Sequence, residues 1–297
     1  MQANFSTTNS LLQALQDAQA VQARSLAEIS SGRRVSKPSD DPSASAALVR
    51  NASMQAQDDS YTAGDASLRS RFASADSALS SVVRQMTQAV SLAVEGANGT
   101  LSASDKVALA QQLSGIRDQV LSLGNTQFEG KFLFSGVNDN TAPFAANGGG
   151  TIQYQGAPAV ATVNTGQGAT IASGVTGDKL FGANGSSAFD ALSGVISALD
   201  GNGDVAAAAA AVSTSLSNLS AQRVFFGTAM NALDGVTSSI TTEKQGLSQQ
   251  EDQLAGADIT QAVTDLTQAQ VAQGAVSAAF SKISQMSLLN YLNPPTG

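Results

Sequence analysis

The chain has 297 residues, a formal net charge of −8, 5% aromatic residues, and no cysteine, histidine or tryptophan. These absences exclude thiol nucleophiles, imidazole bases, Cys or His metal sites and the Ser-His-Asp triad, while the acidic balance gives no electrostatic footprint for nucleic acid or anionic lipid. Few aromatics and many small residues argue against a large globular core and for narrow helix packing.

The first predicted element is a helix. Phe5, Thr8, Leu12, Leu15, Gln19, Gln22, Leu26 and Ile29 recur in steps of three and four, the spacing of a seam that lies along another helix. The start of the chain has no basic region followed by an apolar one, and no run approaches about 18 apolar residues, so neither a Sec-type signal nor a membrane span is expected.

Ser30-Ser31-Gly32-Arg33-Arg34-Val35-Ser36-Lys37-Pro38-Ser39-Asp40-Asp41-Pro42 then interrupts the helical pattern with Gly, Pro, Ser and Asp. It reads as a jointed connector. Pro42 suits the first position of a new helix, where its missing N–H costs nothing, and Asp41 suits the cap before it. Asp40 and Asp41 are candidates for a metal or acid/base pair. Adjacent side chains point apart, however, and cap-and-turn chemistry accounts for both. Arg33, Arg34 and Lys37 form a tight basic cluster whose functional reading is docking onto acidic neighbours in an assembly.

A long helix is predicted over 42–96, with Leu68, Phe72, Ala75, Leu79, Val82, Met86, Ala89 and Ala93 on its seam and Gly64 as a point of bending. A turn at 96–101 leads to a helix starting at Ser102 or Ser104 and carrying Leu109, Leu113, Ile116, Val120 and Leu123. The period then changes. Residues 131–136 are a strand candidate, and the Gly, Asn and Thr-rich insertion that follows, placed outside the helices and ending near 185, holds two more at 151–154 and 159–163. A short helix over 187–199 follows.

Asp200-Gly201-Asn202-Gly203-Asp204 begins like a calcium loop, but Val205 and Ala211 stand where the turn glycine and the bidentate glutamate belong. Asp204 is therefore read as the cap of the next helix, with the stripe Leu216, Leu219, Phe226, Met230, Leu233, Ile240, Leu247 and Leu254. The stripe changes phase at Gly256-Ala257-Asp258, a second joint level with the first.

The last helix, 258–292, carries the seam Ile259, Ala262, Leu266, Ala269, Gln273, Val276, Phe280, Ile283 and Ser287. Ala, Gln and Ser dilute it, so its stability must come largely from partners. The termini are expected to pair antiparallel, with several copies then bundling side by side. Phe5, Leu12, Leu15, Leu26, Ile29, Ile259, Leu266, Gln273, Val276, Phe280 and Ile283 are the candidate assembly residues. The seam glutamines are candidates for fixing register and partner number.

The expected fold is mainly α: an elongated antiparallel helical bundle with paired terminal coiled-coil helices and a small β-rich insertion domain. Its divisions are 1–41 (N-terminal helix and connector), 42–136 (helical core), 137–186 (outer β-rich insertion), 187–256 (helical core) and 257–297 (C-terminal helix).

Ile29-Ser30-Ser31-Gly32-Arg33-Arg34-Val35 followed by Asp40-Asp41, together with Asp258, Val263, Leu266, Thr267, Ala269, Gln270, Val271 and Gln273, resembles the flagellin family. The resemblance covers about residues 1–136 and 204–292. Pro38-Ser39-Asp40-Asp41-Pro42, Phe132-Leu133-Phe134-Ser135-Gly136 and Ser287-Leu288-Leu289-Asn290-Tyr291-Leu292 resemble the form found at the hook-filament junction more than filament flagellin. The tail 293–297 departs from both.

The resemblance implies a non-enzymatic axial protein of the bacterial flagellum, without cofactor or metal, whose terminal helices build an inner tube. It makes Gly32, Arg33, Arg34, Pro38, Asp40, Asp41 and Pro42 the connector residues to watch. It also implies secretion through the type III export apparatus, with an export chaperone, and partners that are copies of itself, a neighbouring hook-associated protein and flagellin. The alternative is a filament flagellin. A secreted adhesin would place glycan binding on the insertion, and a peptidase carrier would need an HExxH helix that a chain without histidine lacks.

Overall fold

The computed structural model describes residues 2–147, 151–166 and 168–292, with side chains described between residues 9 and 283. Among the described residues, helices dominate: α1 (Gln2–Ser31), α2 (Pro42–Gly96), α3 (Ala103–Gly124), α4 (Gly177–Phe181), α5 (Ala188–Leu199), α6 (Val205–Ala255) and α7 (Ile259–Leu292). Among the described residues, six short strands form three antiparallel pairs: β1 (Gln127–Phe128) with β2 (Lys131–Phe132), β3 (Phe144–Ala146) with β4 (Ile152–Tyr154), and β5 (Thr162–Gly166) with β6 (Ala169–Ala172). The chain forms two compact units. One comprises Met1–Ala56 and Glu243–Gly297, the other Gln57–Thr242.

Helix starts follow the capping chemistry of the sequence. Ser102 and Ser187 each form a capping box, with Asp105 and Asp190 respectively. Asp204 Oδ1 accepts from the amides of Ala206 (2.8 Å) and Ala207 (3.3 Å), so this acid caps α6. Helix α2 runs through Gly64 without interruption, so the expected bend is not marked by a break in the helix.

Within the Gln57–Thr242 unit, the predicted seam of α2 is the core: Phe72, Leu79, Val82, Met86, Ala89 and Ala93 are fully buried. They meet Leu219, Phe226 and Leu233 of α6. Phe72 contacts Phe225 and Phe226 edge to face at centroid distances of 6.0 and 5.9 Å, a favoured aromatic geometry. Arg223 donates to both Asp76 oxygens, from Nε to Oδ1 (2.6 Å) and from Nη2 to Oδ2 (2.9 Å), and Arg69 pairs with Asp234, tying the same two helices outside the core. Helix α3 lies along α5, burying Leu113, Ile116 and Val120 beside Leu192 and Val195.

The insertion departs from expectation in two ways. The strand over 131–136 stops at Phe132, and the buried Leu133, Phe134 and Ser135 that follow lie outside any strand. The pair β1–β2 instead turns tightly at Glu129 and Gly130, both with positive φ (52° and 77°). The strand candidate at 159–163 lies three residues further on, as β5.

The base of the insertion packs into the helical core. Phe144 packs 5.0 Å from both Phe181 and Phe189, and these rings share one hydrophobic cluster with Leu113 and Val120. Asn125, just past α3, stitches β3 down: its Nδ2 donates to Phe144 O (2.8 Å) and its Oδ1 accepts from Phe144 N (3.0 Å).

Candidate assembly interface

The two predicted joints meet. Helix α1 ends at Ser31, Gly32 takes the left-handed conformation (φ 67°), and Arg33 bridges Gly256 in an antiparallel backbone contact. Arg34 N donates to Ala255 O (2.6 Å), and Ala257 N donates to Gly32 O (2.9 Å). The end of α1 thus lies beside the start of α7, and the helices run antiparallel along each other.

Most of the polar connector residues have partners inside the chain. Arg33 Nη2 reaches Glu251 Oε1 (2.9 Å). Arg34 Nη2 donates to Leu254 O (2.9 Å), one of the last carbonyls of α6, and lies 3.4 Å from Asp41 Oδ2. Asp41 Oδ1 accepts from Ala44 N (3.0 Å) and the Ser43 hydroxyl (2.8 Å), capping α2 where Pro42 begins it. Asp40 Oδ2 closes the turn before it by accepting from Lys37 N (2.8 Å) and Ser36 N (3.1 Å). These N–H donors hold both carboxyls below the usual range, the Lys37 amide being the main cause for Asp40 and the Ala44 amide for Asp41. Pro38 is exposed in that turn, while Val35 is buried beneath it.

The seam of α1 lies in a different register from the one the sequence suggests. Its inward positions are Leu11, Leu15, Ala18, Gln22, Ser25 and Ile29. Ala18 and Ser25 are buried, whereas Leu12 and Leu26 are 46% and 49% exposed. The two larger leucines sit one residue past the seam, on its flank. Leu15 and Ile29 do face inward, half-buried.

On α7 the expected seam is occupied by buried Ala262 and Ala269 and half-buried Leu266, Gln273, Val276 and Ile283. Ile259, the first residue of the helix, is 44% exposed, and Phe280 is 48% exposed. The side chains of Phe5 and Ser287 lie outside the described ones.

In an antiparallel pair, the two flanks on one side come from equivalent positions of the two helices. One flank is polar: Val21, Arg24 and Glu28 of α1 line a cleft with Asp258, Gln261 and Asp265 of α7. The other flank therefore combines Leu12, Gln19 and Leu26 with Val263, Gln270 and, next to it, Ile259. Val263 is 47% exposed, so this side presents four large half-exposed aliphatic residues around a pair of glutamines. Periodicity missed this division because leucines outweighed an alanine and a serine. The decisive signal was Leu11, which starts the alternative series.

A family model described as the bacterial flagellin N-terminal helical region matches residues 3–139, and one described as the C-terminal helical region matches residues 209–292. The chain is 31% identical over 287 residues to flagellar hook-associated protein 3 of Escherichia coli K12, covering 88% of this chain and 90% of that protein. It is 35% identical over 155 residues to the protein of the same name from Salmonella typhimurium, covering 52% and 48%. The fold is similar to that of a flagellar hook-associated protein from Vibrio parahaemolyticus, with TM-score 0.69 and 24% identity over 73% of this chain and 100% of that one. It is also similar to FlgL from Bacillus cereus, with TM-score 0.57 and 18% identity over 69% and 99%.

Proposed function

The chain belongs to the bacterial flagellin family, and from that premise we propose that it is the hook-associated adaptor of the hook-filament junction, assembling with copies of itself through its paired terminal helices. It is a structural flagellar protein that assembles with other flagellar components. The observation that carries the assembly reading is the exposed aliphatic flank of Leu12, Leu26, Ile259 and Val263 beside a diluted inner seam. Such a flank is costly in water and is stabilised when another helix covers it.

On this reading Leu15, Ile29, Leu266, Gln273, Val276 and Ile283 hold the pair within one chain, Leu12, Leu26 and Ile259 face the next copy, and Phe5 and Phe280 belong to the far end of the pair. Gly32, Arg33, Arg34, Pro38, Asp40, Asp41 and Pro42 form the joint that sets the direction in which the pair leaves the rest of the chain. The neighbours along the flagellar axis are another hook-associated protein on the hook side and flagellin beyond. Delivery is by the flagellar export apparatus with a chaperone, the destination is outside the cell, and no catalysis is involved. The proposed divisions remain terminal helices with connector (1–41 and 257–297), helical core (42–136 and 187–256) and insertion (137–186).

Immunogold electron microscopy of intact flagella, with antibody against residues 138–185, tests the location. Label at the point where hook meets filament supports the adaptor. Label along the whole filament makes the protein a filament flagellin, and flagella without label overturn both.

A further inference from the structure

Asparagine is followed by glycine at 98–99, 147–148, 184–185 and 202–203. Glycine has no side chain to screen its amide nitrogen, so in this dipeptide the asparagine side chain is open to attack by its own backbone. Sequence alone makes the pairs equivalent. Gly148 lies outside the described residues, and the structure holds the other three pairs very differently.

The pair Asn184–Gly185 is tied on both sides of the bond that would form. Asn184 Oδ1 accepts from Tyr154 N (2.8 Å), its Nδ2 donates to Tyr154 O (3.4 Å), and Gly185 N donates to Asp190 Oδ2 (2.9 Å), the carboxylate that also builds the capping box of α5. Asn98 is held through one atom: in the turn between α2 and α3 its Oδ1 accepts from the Thr100 hydroxyl (3.1 Å) and from Thr100 N (3.4 Å). Asn202 is held by its backbone alone. Its N–H donates to Ser197 O (3.0 Å), and the N–H of Gly201, at φ 94°, donates to Ala198 O (3.1 Å), the paired bonds that close a helix around a left-handed glycine. Two residues further on, Asp204 Oδ1 caps α6. Asn202 and Gly203 therefore link a fixed helix end to a fixed helix start. Both are exposed, and among the described residues neither the Asn202 side chain nor Gly203 N has a hydrogen-bond partner. There is room as well, since a Cβ at Gly203 would meet nothing closer than 3.6 Å.

We propose that Asn202 is a site of spontaneous deamidation, converted to aspartate and isoaspartate ahead of Asn98 and Asn184 in the folded chain. The Gly203 amide nitrogen gives up its proton and attacks Asn202 Cγ. A nitrogen–carbon bond forms, the Cγ–Nδ2 bond breaks, and Nδ2 leaves as ammonia with that proton. Water then adds to either carbonyl carbon of the five-membered imide and opens it, to aspartate in one case and isoaspartate in the other. No oxidant or reductant takes part. Both products place a carboxylate between Asp200 and Asp204 at the start of α6, where a helix N-terminus favours negative charge, so the modified chain stays folded and accumulates.

The test incubates the full wild-type chain in mildly alkaline buffer, folded and in concentrated urea, and maps deamidated peptides by mass spectrometry, with electron-transfer fragmentation to identify isoaspartate. In the folded chain Asn202 converts first, at least about tenfold faster than Asn184, where two side-chain hydrogen bonds must open before attack. In urea these restraints are gone, and the rates at 98, 184 and 202 converge to within about threefold. Asn202→Gln removes the leading acidic species on anion exchange. Conversion of Asn98 or Asn184 as fast as Asn202 in the folded chain overturns the assignment. So does an undiminished lead of Asn202 in urea, which would trace it to flanking residues instead of the fold, or a leading acidic species that persists in Asn202→Gln.

Discussion

Replacing Leu26 and Val263 by serine together separates the flank from the seam. Both side chains are about half exposed, at 49% and 47%. Fully burying a Leu or Val side chain is worth about 1.5–3 kcal/mol, so covering the remaining half contributes about 1 kcal/mol for each. The double substitution removes roughly 2 kcal/mol from every contact that buries this flank, a weakening of about 30-fold at 1.4 kcal/mol per factor of ten. Within one subunit the loss is small, because substitutions at half-exposed flank positions typically change stability by about 0.5 kcal/mol.

The expected result is a large rise in the concentration needed for self-association, measured by sedimentation velocity, with a nearly unchanged melting curve by circular dichroism. Ala18→Leu is the counterpart. It forces a larger side chain into the buried seam, costs about 1–3 kcal/mol through overpacking, and separates α1 from α7 within the chain. If Leu26 were a seam residue, as leucine periodicity alone suggests, the outcomes would exchange: the serine variant would disrupt the pair and Ala18→Leu would be tolerated. Self-association of the serine variant at wild-type concentrations would refute the flank reasoning.

Three further outcomes are expected. Phe226→Ala empties a site 1% exposed and packed against Phe72 and Phe225; a loss of about 3–5 kcal/mol lowers the thermal midpoint by roughly 10 °C, read by calorimetry. Gly136→Ala strains a residue at φ 69° and brings a Cβ against the carbonyl oxygens of Ala157 and Ala159; it destabilises by about 1 kcal/mol or more, with new protease cleavage between residues 137 and 159 as the readout. Asp40 and Asp41 have lowered folded-state pKa values, so their stabilisation is fully present above the ordinary value of 3.8 and is lost as pH falls through the lowered values. Asp41→Asn combined with Asp40→Asn therefore flattens the acid limb of the stability curve, measured by urea unfolding from about pH 5 downward.

Helix boundaries were legible because each is written by a local rule. Pro42 with Asp41, Ser102 with Asp105, Ser187 with Asp190 and Asp204 before Val205 are all decided within about one turn of chain. The adjacency of the joints was legible too, from the five-residue step between Leu254 and Ile259. The register of α1 was not. An antiparallel seam selects for close approach, and Ala18 and Ser25 supply it at the expense of hydrophobicity, which a scale of residue hydrophobicity reads backwards. The anchoring of the insertion was hidden for a different reason. Phe144, Phe181 and Phe189 are 37 and 8 residues apart in sequence, and the three rings converge only through tertiary contacts that no local period encodes.

On the proposed assembly, the division between seam and flank would couple the folding of the terminal pair to its association with the next copy. The inward series of the two helices, Ile29, Ser25, Gln22 and Ala18 on α1 and Ala262, Leu266, Ala269 and Gln273 on α7, each mix long and short side chains, which does not build a strong core. Two of the four long residues, Gln22 and Gln273, are glutamines, which bury less favourably than leucine. The larger aliphatic residues Leu12, Leu26, Ile259 and Val263 lie on the flank. On the proposed assembly, a pair arranged in this way gains apolar burial from the next copy that a single chain does not supply, so it is held more firmly in the assembly than alone. Exchanging the two sets, with leucine at 18 and 25 and alanine at 12 and 26, would remove the apolar flank proposed to face the next copy and overpack the seam within each chain, so self-association and the pair should both be lost.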